Sequence, residues 1–172
     1  KLKTAFIHNL NSQIRIGADG EGEKYLDFIS NLLDNYNVNC PLLKKYDFKI
    51  FDNLAEMVDK IKEKNSEHEL CRMVSGYAWE WQSKNNPDLF DIELDGVRLK
   101  WNSINYRINS KDAINEVGCI HTVQGYDLNY TGVIFGEEIT YNKDSNRIEI
   151  IKEKYFDKYG KQQATDEDLK AY

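Results

Sequence analysis

Missing from this sequence is any run of the form G-x-x-x-x-G-K-[ST], so a nucleotide phosphate has no P-loop to sit in. The glycine-rich candidate, GADGEG at 17–22, is too acidic to cradle phosphate, whose charge it would repel. Apolar runs are too short to cross a bilayer, and Lys1-Leu2-Lys3-Thr4 leads into a strand-like segment rather than the hydrophobic region of a signal peptide. Cysteine is scarce: Cys40, Cys71 and Cys119 are odd in number and far apart, which reads as reduced core residues of a cytoplasmic protein. His8, His68 and His121 are scattered and no cysteine pair has ligand spacing, so no metal site is expected. Ser75-Gly76 lacks the G-x-S-x-G elbow, which leaves a stand-alone hydrolase without a nucleophile. Positive charge is in deficit, with 23 Lys and Arg against 29 Asp and Glu for a net −6. That balance argues against strong non-specific binding of nucleic acid, although a local basic groove is compatible with it.

What remains is an ordinary globular composition in 172 residues, 41% hydrophobic and 30% charged, enough for one domain with a substantial core. Residues 4–16 read as a strand followed by an extended segment. Tyr25, Leu26, Phe28, Ile29, Leu32 and Leu33 fall at helical spacing and predict a helix over about 23–35. YDFKIF at 46–51 alternates like a short strand, and Asp52 then offers an N-cap for a helix over 54–64 with Leu54, Met57, Val58 and Ile61 on one side. LCRMVSGY at 70–77 reads as a buried strand. Strands alternating with helices predict an α/β fold with a mainly parallel sheet flanked by helices. Two β-hairpins add to it. One spans 90–101 around Asp95-Gly96, residues that tolerate the positive φ of a tight turn, and the other spans 138–151 around KDSN. Both ends of the chain look abrupt, with Thr165 and Asp168 reading as the cap of a helix barely begun, so an excised fragment is expected.

The stretch 117–138, VGCIHTVQGYDLNYTGVIFGEE, is the most informative. It reads as an apolar strand over 117–120, a polar turn around Gly125, and a second apolar strand over 131–135 that ends in Gly-Glu-Glu. A polar segment just beyond a strand of an α/β sheet stands where ligands collect. On pattern alone it is either a ligand-facing loop or a loop whose polar groups satisfy its own backbone.

His121-Thr122-Val123-Gln124-Gly125-Tyr126-Asp127, followed by Gly132-Val133-Ile134-Phe135-Gly136, resembles motif V of superfamily 1 helicases. It is more similar still to a bacterial family of uncharacterised P-loop ATPases related to the helicase part of Schlafen proteins, which has the form H-T-x-Q-G-x-[DE] followed by V-I-x-G. Leu10-Asn11-Ser12-Gln13-Ile14-Arg15 resembles the L-x-x-Q-x-R of motif IV, and Gly76-Tyr77-Ala78-Trp79-Glu80-Trp81 resembles that family's aromatic segment.

The resemblance implies a RecA-like three-layer fold and the second RecA-like half of a nucleic-acid-dependent ATPase. ATP and Mg2+ would bind in the full-length parent and not in this domain alone, in a cleft shared with an N-terminal P-loop domain of the same chain. Arg15 would be the catalytic arginine acting on the transferring phosphoryl group. Gln13, Gly125 and Asp127 would border the nucleotide, with Asp127 where many relatives carry the longer glutamate. His121, Thr122 and Gln124 would couple nucleotide state to single-stranded DNA or RNA. The P-loop would lie before Lys1 and motif VI after Tyr172, so the fragment should be catalytically silent. Tyr77, Trp79, Trp81 and Trp101 either form a base-stacking platform or, as is commoner for tryptophan, pack beneath the first hairpin. A non-enzymatic interaction module on the same fold is the alternative from another class.

Overall fold

The computed structural model describes residues 16, 18–34, 39–103, 106–163 and 165. The expected strand over 4–16 and the C-terminal helix lie essentially outside these residues, as do Gln13 and Arg15. The chain divides into two compact units, Lys1–Ile50 and Phe51–Tyr172. In chain order the main elements are α1 (Glu21–Leu33), α2 (Leu54–His68), β1 (Cys71–Ser75), β2 (Ile92–Leu94), β3 (Val97–Leu99), β4 (Val117–Cys119), α3 (Ile120–Val123), β5 (Tyr130–Ile134), β6 (Ile139–Asn142), β7 (Arg147–Ile150) and α4 (Lys158–Gln163).

In the first unit, α1 starts two residues earlier than its apolar spacing suggested. Its first residue explains why: the Glu21 carboxylate accepts the backbone N–H groups of Lys44 at 2.8 Å, Lys45 at 2.5 Å and Tyr46 at 3.1 Å. These donors hold the Glu21 carboxyl below the usual carboxylate range. An acid at the first turn also complements the helix dipole. The expected strand at 46–51 is absent. Tyr46 and Phe48 instead turn toward Tyr25, with ring centroids 4.7 and 5.2 Å away, and Phe28 meets Phe48 at 5.9 Å. The alternation marked one face of an extended segment, but a strand needs a partner for its backbone, and none pairs with it among the described residues. Cys40 is exposed, not a core residue, whereas Cys71 and Cys119 are buried; all three are free thiols.

The second unit is built on β1, every residue of which is buried. It lies between β4 and β5, parallel to both, in the order β4-β1-β5. This mixed α/β architecture, a short parallel sheet with antiparallel hairpins, is the coarse fold that the strand and helix alternation predicts. α2 covers one face with Leu54, Met57, Val58 and Ile61, as expected. Gly132 opposes Met73 in the sheet and lets the helix come close, since a Cβ there would meet Ile61 at 2.9 Å. The N-cap is Asn53 and not Asp52: the Asn53 side chain accepts the Glu56 N–H at 3.1 Å. An acid distant in sequence helps, because Asp95 in the β2–β3 turn accepts the Leu54 N–H at 2.7 Å. Asp95 and Gly96 both have positive φ, 51° and 76°, the geometry that closes a two-residue hairpin. The β6–β7 hairpin forms as its pattern predicts.

Residues 106–115 partly cover the opposite face of the sheet, with Tyr106, Ile108 and Ala113 buried together and Val123 and Leu128 packed against them. Arg72 fixes this cover. Only 4% exposed, it donates to Ile108 O at 2.7 Å, Ser110 O at 3.3 Å, Cys71 O at 2.7 Å and Asn65 Oδ1 at 3.1 Å. A buried guanidinium held by carbonyls ties the strand to α2 and to the covering segment at once. Arg72→Met should therefore lower the stability of the chain by roughly 2–4 kcal/mol, because it strands buried carbonyls of 108 and 110. Urea titration reads the change, and an unchanged midpoint would refute the role.

Candidate functional site at the carboxyl ends of the parallel strands

Because β4, β1 and β5 are parallel, their carboxyl ends lie at one edge, and the segments leaving them meet there. From β1 come Gly76, Tyr77 and Ala78; from β4 comes α3; from β5 come Gly136, Glu137 and Glu138. Under them sits Trp101, 1% exposed, whose Nε1–H donates to Ser75 O at 3.2 Å. Its backbone N–H donates to the buried carboxylate of Asp91 at 2.8 Å, which also accepts the Ser83 N–H and hydroxyl. Residues 100–102 run alongside Val117 and extend the sheet by a single bridge.

The polar segment of the sequence is not a simple turn. Ile120–Val123 forms one short helical turn, and Gly125 follows at φ 89°. His121, Thr122, Gln124, Gly125 and Asp127 are all exposed. The Thr122 hydroxyl donates to Asn102 Oδ1 at 2.9 Å, and the His121 ring lies 5.9 Å from that of Tyr77. The structure therefore brings His121 and Thr122 to the strand ends, beside Tyr77 and Asn102. Gln124, Gly125 and Asp127 follow along the crossover, whose far end is pinned by Asn129 donating to His68 O at 2.7 Å and Glu69 O at 3.1 Å, the residues that close α2. Nothing lies within 4 Å of where a Gly125 Cβ would stand, so a ligand could approach its backbone closely.

The aromatic residues divide clearly. Trp101 is core, and Tyr77, Trp79 and Trp81 pack against the same core from partly buried positions. Trp81 and Tyr77 meet Trp101 edge-on at 5.7 and 5.1 Å. This is packing beneath the hairpin, and the platform reading loses Trp101 altogether.

Asn102 and Glu138 escaped the sequence reading. Glu138 is 7% exposed and its Oε2 has no hydrogen-bond partner. It fills the space that Gly136 leaves, since a Cβ on Gly136 would meet Glu138 Oε2 at 2.7 Å and Ala78 Cβ at 2.8 Å. Burial pushes its carboxyl above the usual range, only partly opposed by the backbone N–H groups of Glu138 and Gly136. Gly-Glu-Glu at a strand end was the available signal, but two adjacent acids read by default as solvated. Glu137 does face outward, paired with Lys154 at 2.6 Å.

The profile of the family described as "Schlafen group 3, DNA/RNA helicase domain" matches residues 1–171. The chain belongs to that family. The helicase-like kinship that the motifs around Gly125 suggested is thereby shown. A curated relative, "Uncharacterized protein YPL245W" of Saccharomyces cerevisiae, is 31% identical over 169 residues, covering 89% of this chain. The aligned part is 37% of that protein's length, so the chain spans little more than a third of it. No solved structure matches the chain. Among the described residues no helix is long and apolar enough to cross a membrane, and no group of three or more His, Cys, Asp or Glu could hold a metal ion.

The left-handed backbone of Gly125 makes a specific demand. Gly125→Ala should cost about 1–2 kcal/mol through backbone strain alone, since the space around it is open. Gly125→Asn should cost less, because asparagine tolerates this conformation. Thermal or urea denaturation of the two variants checks the order, and equal losses would contradict it.

Proposed function

We propose that this chain of the Schlafen helicase-domain family is the second RecA-like half of a nucleic-acid-dependent ATPase of the helicase class. It contributes one side of an ATP site and couples that site to nucleic acid. The observation that carries the reading is the segment from His121 to Asp127, which leaves the carboxyl end of a parallel strand with its polar side chains exposed and Gly125 in an open left-handed turn. That is where α/β sheets hold ligands. The family description, a DNA/RNA helicase domain, supports the same reading, as does the resemblance of His121–Asp127 to motif V of superfamily 1 helicases.

In this proposal Gly125 offers its backbone to the nucleotide, while Asp127 and Gln13 border it. Arg15 acts on the γ-phosphate, where a positive charge stabilises the charge developing during transfer. His121, Thr122 and Gln124 report nucleotide state to a single strand of DNA or RNA. ATP and Mg2+ belong to the full-length parent, and the P-loop domain of that parent is the partner that completes the site. Alone, the chain is proposed to be silent.

The experiment is ATP hydrolysis by the full-length parent. Arg15→Ala should reduce turnover roughly a thousandfold or more while leaving nucleotide binding intact. Unchanged turnover would overturn the assignment.

A further inference from the structure

Glu138 is a carboxylic acid in the wrong place for a merely structural residue. It is more than nine-tenths buried, and one of its oxygens is unpartnered. Ionising such a group out of water is costly, so closed surroundings favour its protonated form.

Those surroundings are a seam between the segments leaving β1 and β5. Ala78 and Gly136 bracket the carboxyl, and side chains at position 136 have no room. The same seam carries three backbone ties. Ile151 N–H donates to Glu138 O at 2.8 Å, Ile139 N–H reaches Gly136 O at 3.5 Å, and Phe156 N–H donates to Tyr77 O at 2.8 Å. Tyr77, immediately before Ala78, touches the rings of Trp101, His121 and Tyr155. A short path therefore runs from Glu138 through Ala78 and Tyr77 to His121, at the head of the exposed polar segment.

We propose that Glu138 is a positioning residue, a proton-dependent latch that holds the exits of β1 and β5 together and, through Tyr77, sets the placement of the His121 segment. With its proton the carboxyl is tolerated in the seam. Without it the charge draws water, the seam loosens and Tyr77 shifts against His121. Of the titratable groups around the seam, Glu137 is paired with Lys154 on the outside, Asp157 accepts the Tyr159 N–H at 2.9 Å, and Glu80, Lys152 and Tyr155 stand on the segments that adjoin it.

The sign follows from linkage. The folded carboxyl titrates above the unfolded value near 4.5, so the unfolded chain releases its proton first. The latch contributes fully below that value, and its contribution is lost as pH rises through the folded one. This inference stands on the seam, not on the nucleotide reading, and its test uses no nucleotide, so the two can fail separately.

The test is carbon and proton NMR of the 172-residue chain across that pH range. The Glu138 Cδ signal should titrate above the ordinary carboxyl position, and the Tyr77 ring and Gly125 amide signals should inflect at the same pH. Glu138→Gln should lose that inflection while the chain stays folded and its urea midpoint no longer falls over the window. An unshifted Glu138 titration, or the same inflection in Glu138→Gln, overturns the latch. If the glutamine variant does not fold, the wild-type titration decides alone: co-titration of Tyr77 and Glu138 supports the latch, and its absence refutes it.

Discussion

The second unit depends on one constraint: β1 is buried on both faces, so every polar group in and around it must be satisfied within the protein. Its backbone is shared between β4 and β5. Its polar side chains need partners as well. Ser75 donates its hydroxyl to Ile134 O at 2.9 Å, and Arg72 spends its guanidinium on carbonyls of the segment that covers the sheet. Ser75 O in turn accepts the indole of Trp101. The partners of the central strand thus dictate where α2, residues 106–115 and the first hairpin must sit.

That dependence explains what could be read from the sequence and what could not. Asp95-Gly96 announced its hairpin because turn chemistry is local: two residues with positive φ suffice. The apolar face of α2 was equally legible, since helical spacing needs no knowledge of the partner. The segment 46–51 was not, because alternation marks a face and not the ladder that makes a strand. The cap of α2 shifted from Asp52 to Asn53 by a choice between adjacent good caps that only backbone geometry makes. At the site, His121 and Thr122 were legible as polar groups beyond a strand. Asn102 and the place of Tyr77 beside them were not, because both come from segments distant in sequence, and Glu138 was not, because two adjacent acids read by default as solvated.

The crossover from β4 to β5 shows how structure and exposure are combined. The two strands flank β1, so residues 120–129 must traverse it within a length that usually defeats a parallel connection. A full helix does not fit, and a four-residue turn with a left-handed glycine takes its place. Both ends are tied, Thr122 to Asn102 and Asn129 to the end of α2. Between those ties Val123 and Leu128 pack inward, while Gln124, Gly125, Tyr126 and Asp127 face solvent. Polar groups held open on an anchored segment can meet a ligand without uncovering the core.

The aromatic residues argue in the same direction. Trp101 is buried with its indole N–H engaged, and Tyr77 and Trp81 present their edges to it. Base stacking needs an open ring face, which these packed residues do not jointly offer. The exposed polar groups at the strand ends belong instead to the crossover, where Tyr126 is half exposed beside Gln124 and Asp127. The tryptophans act one layer below, fixing the strand ends on which that crossover stands.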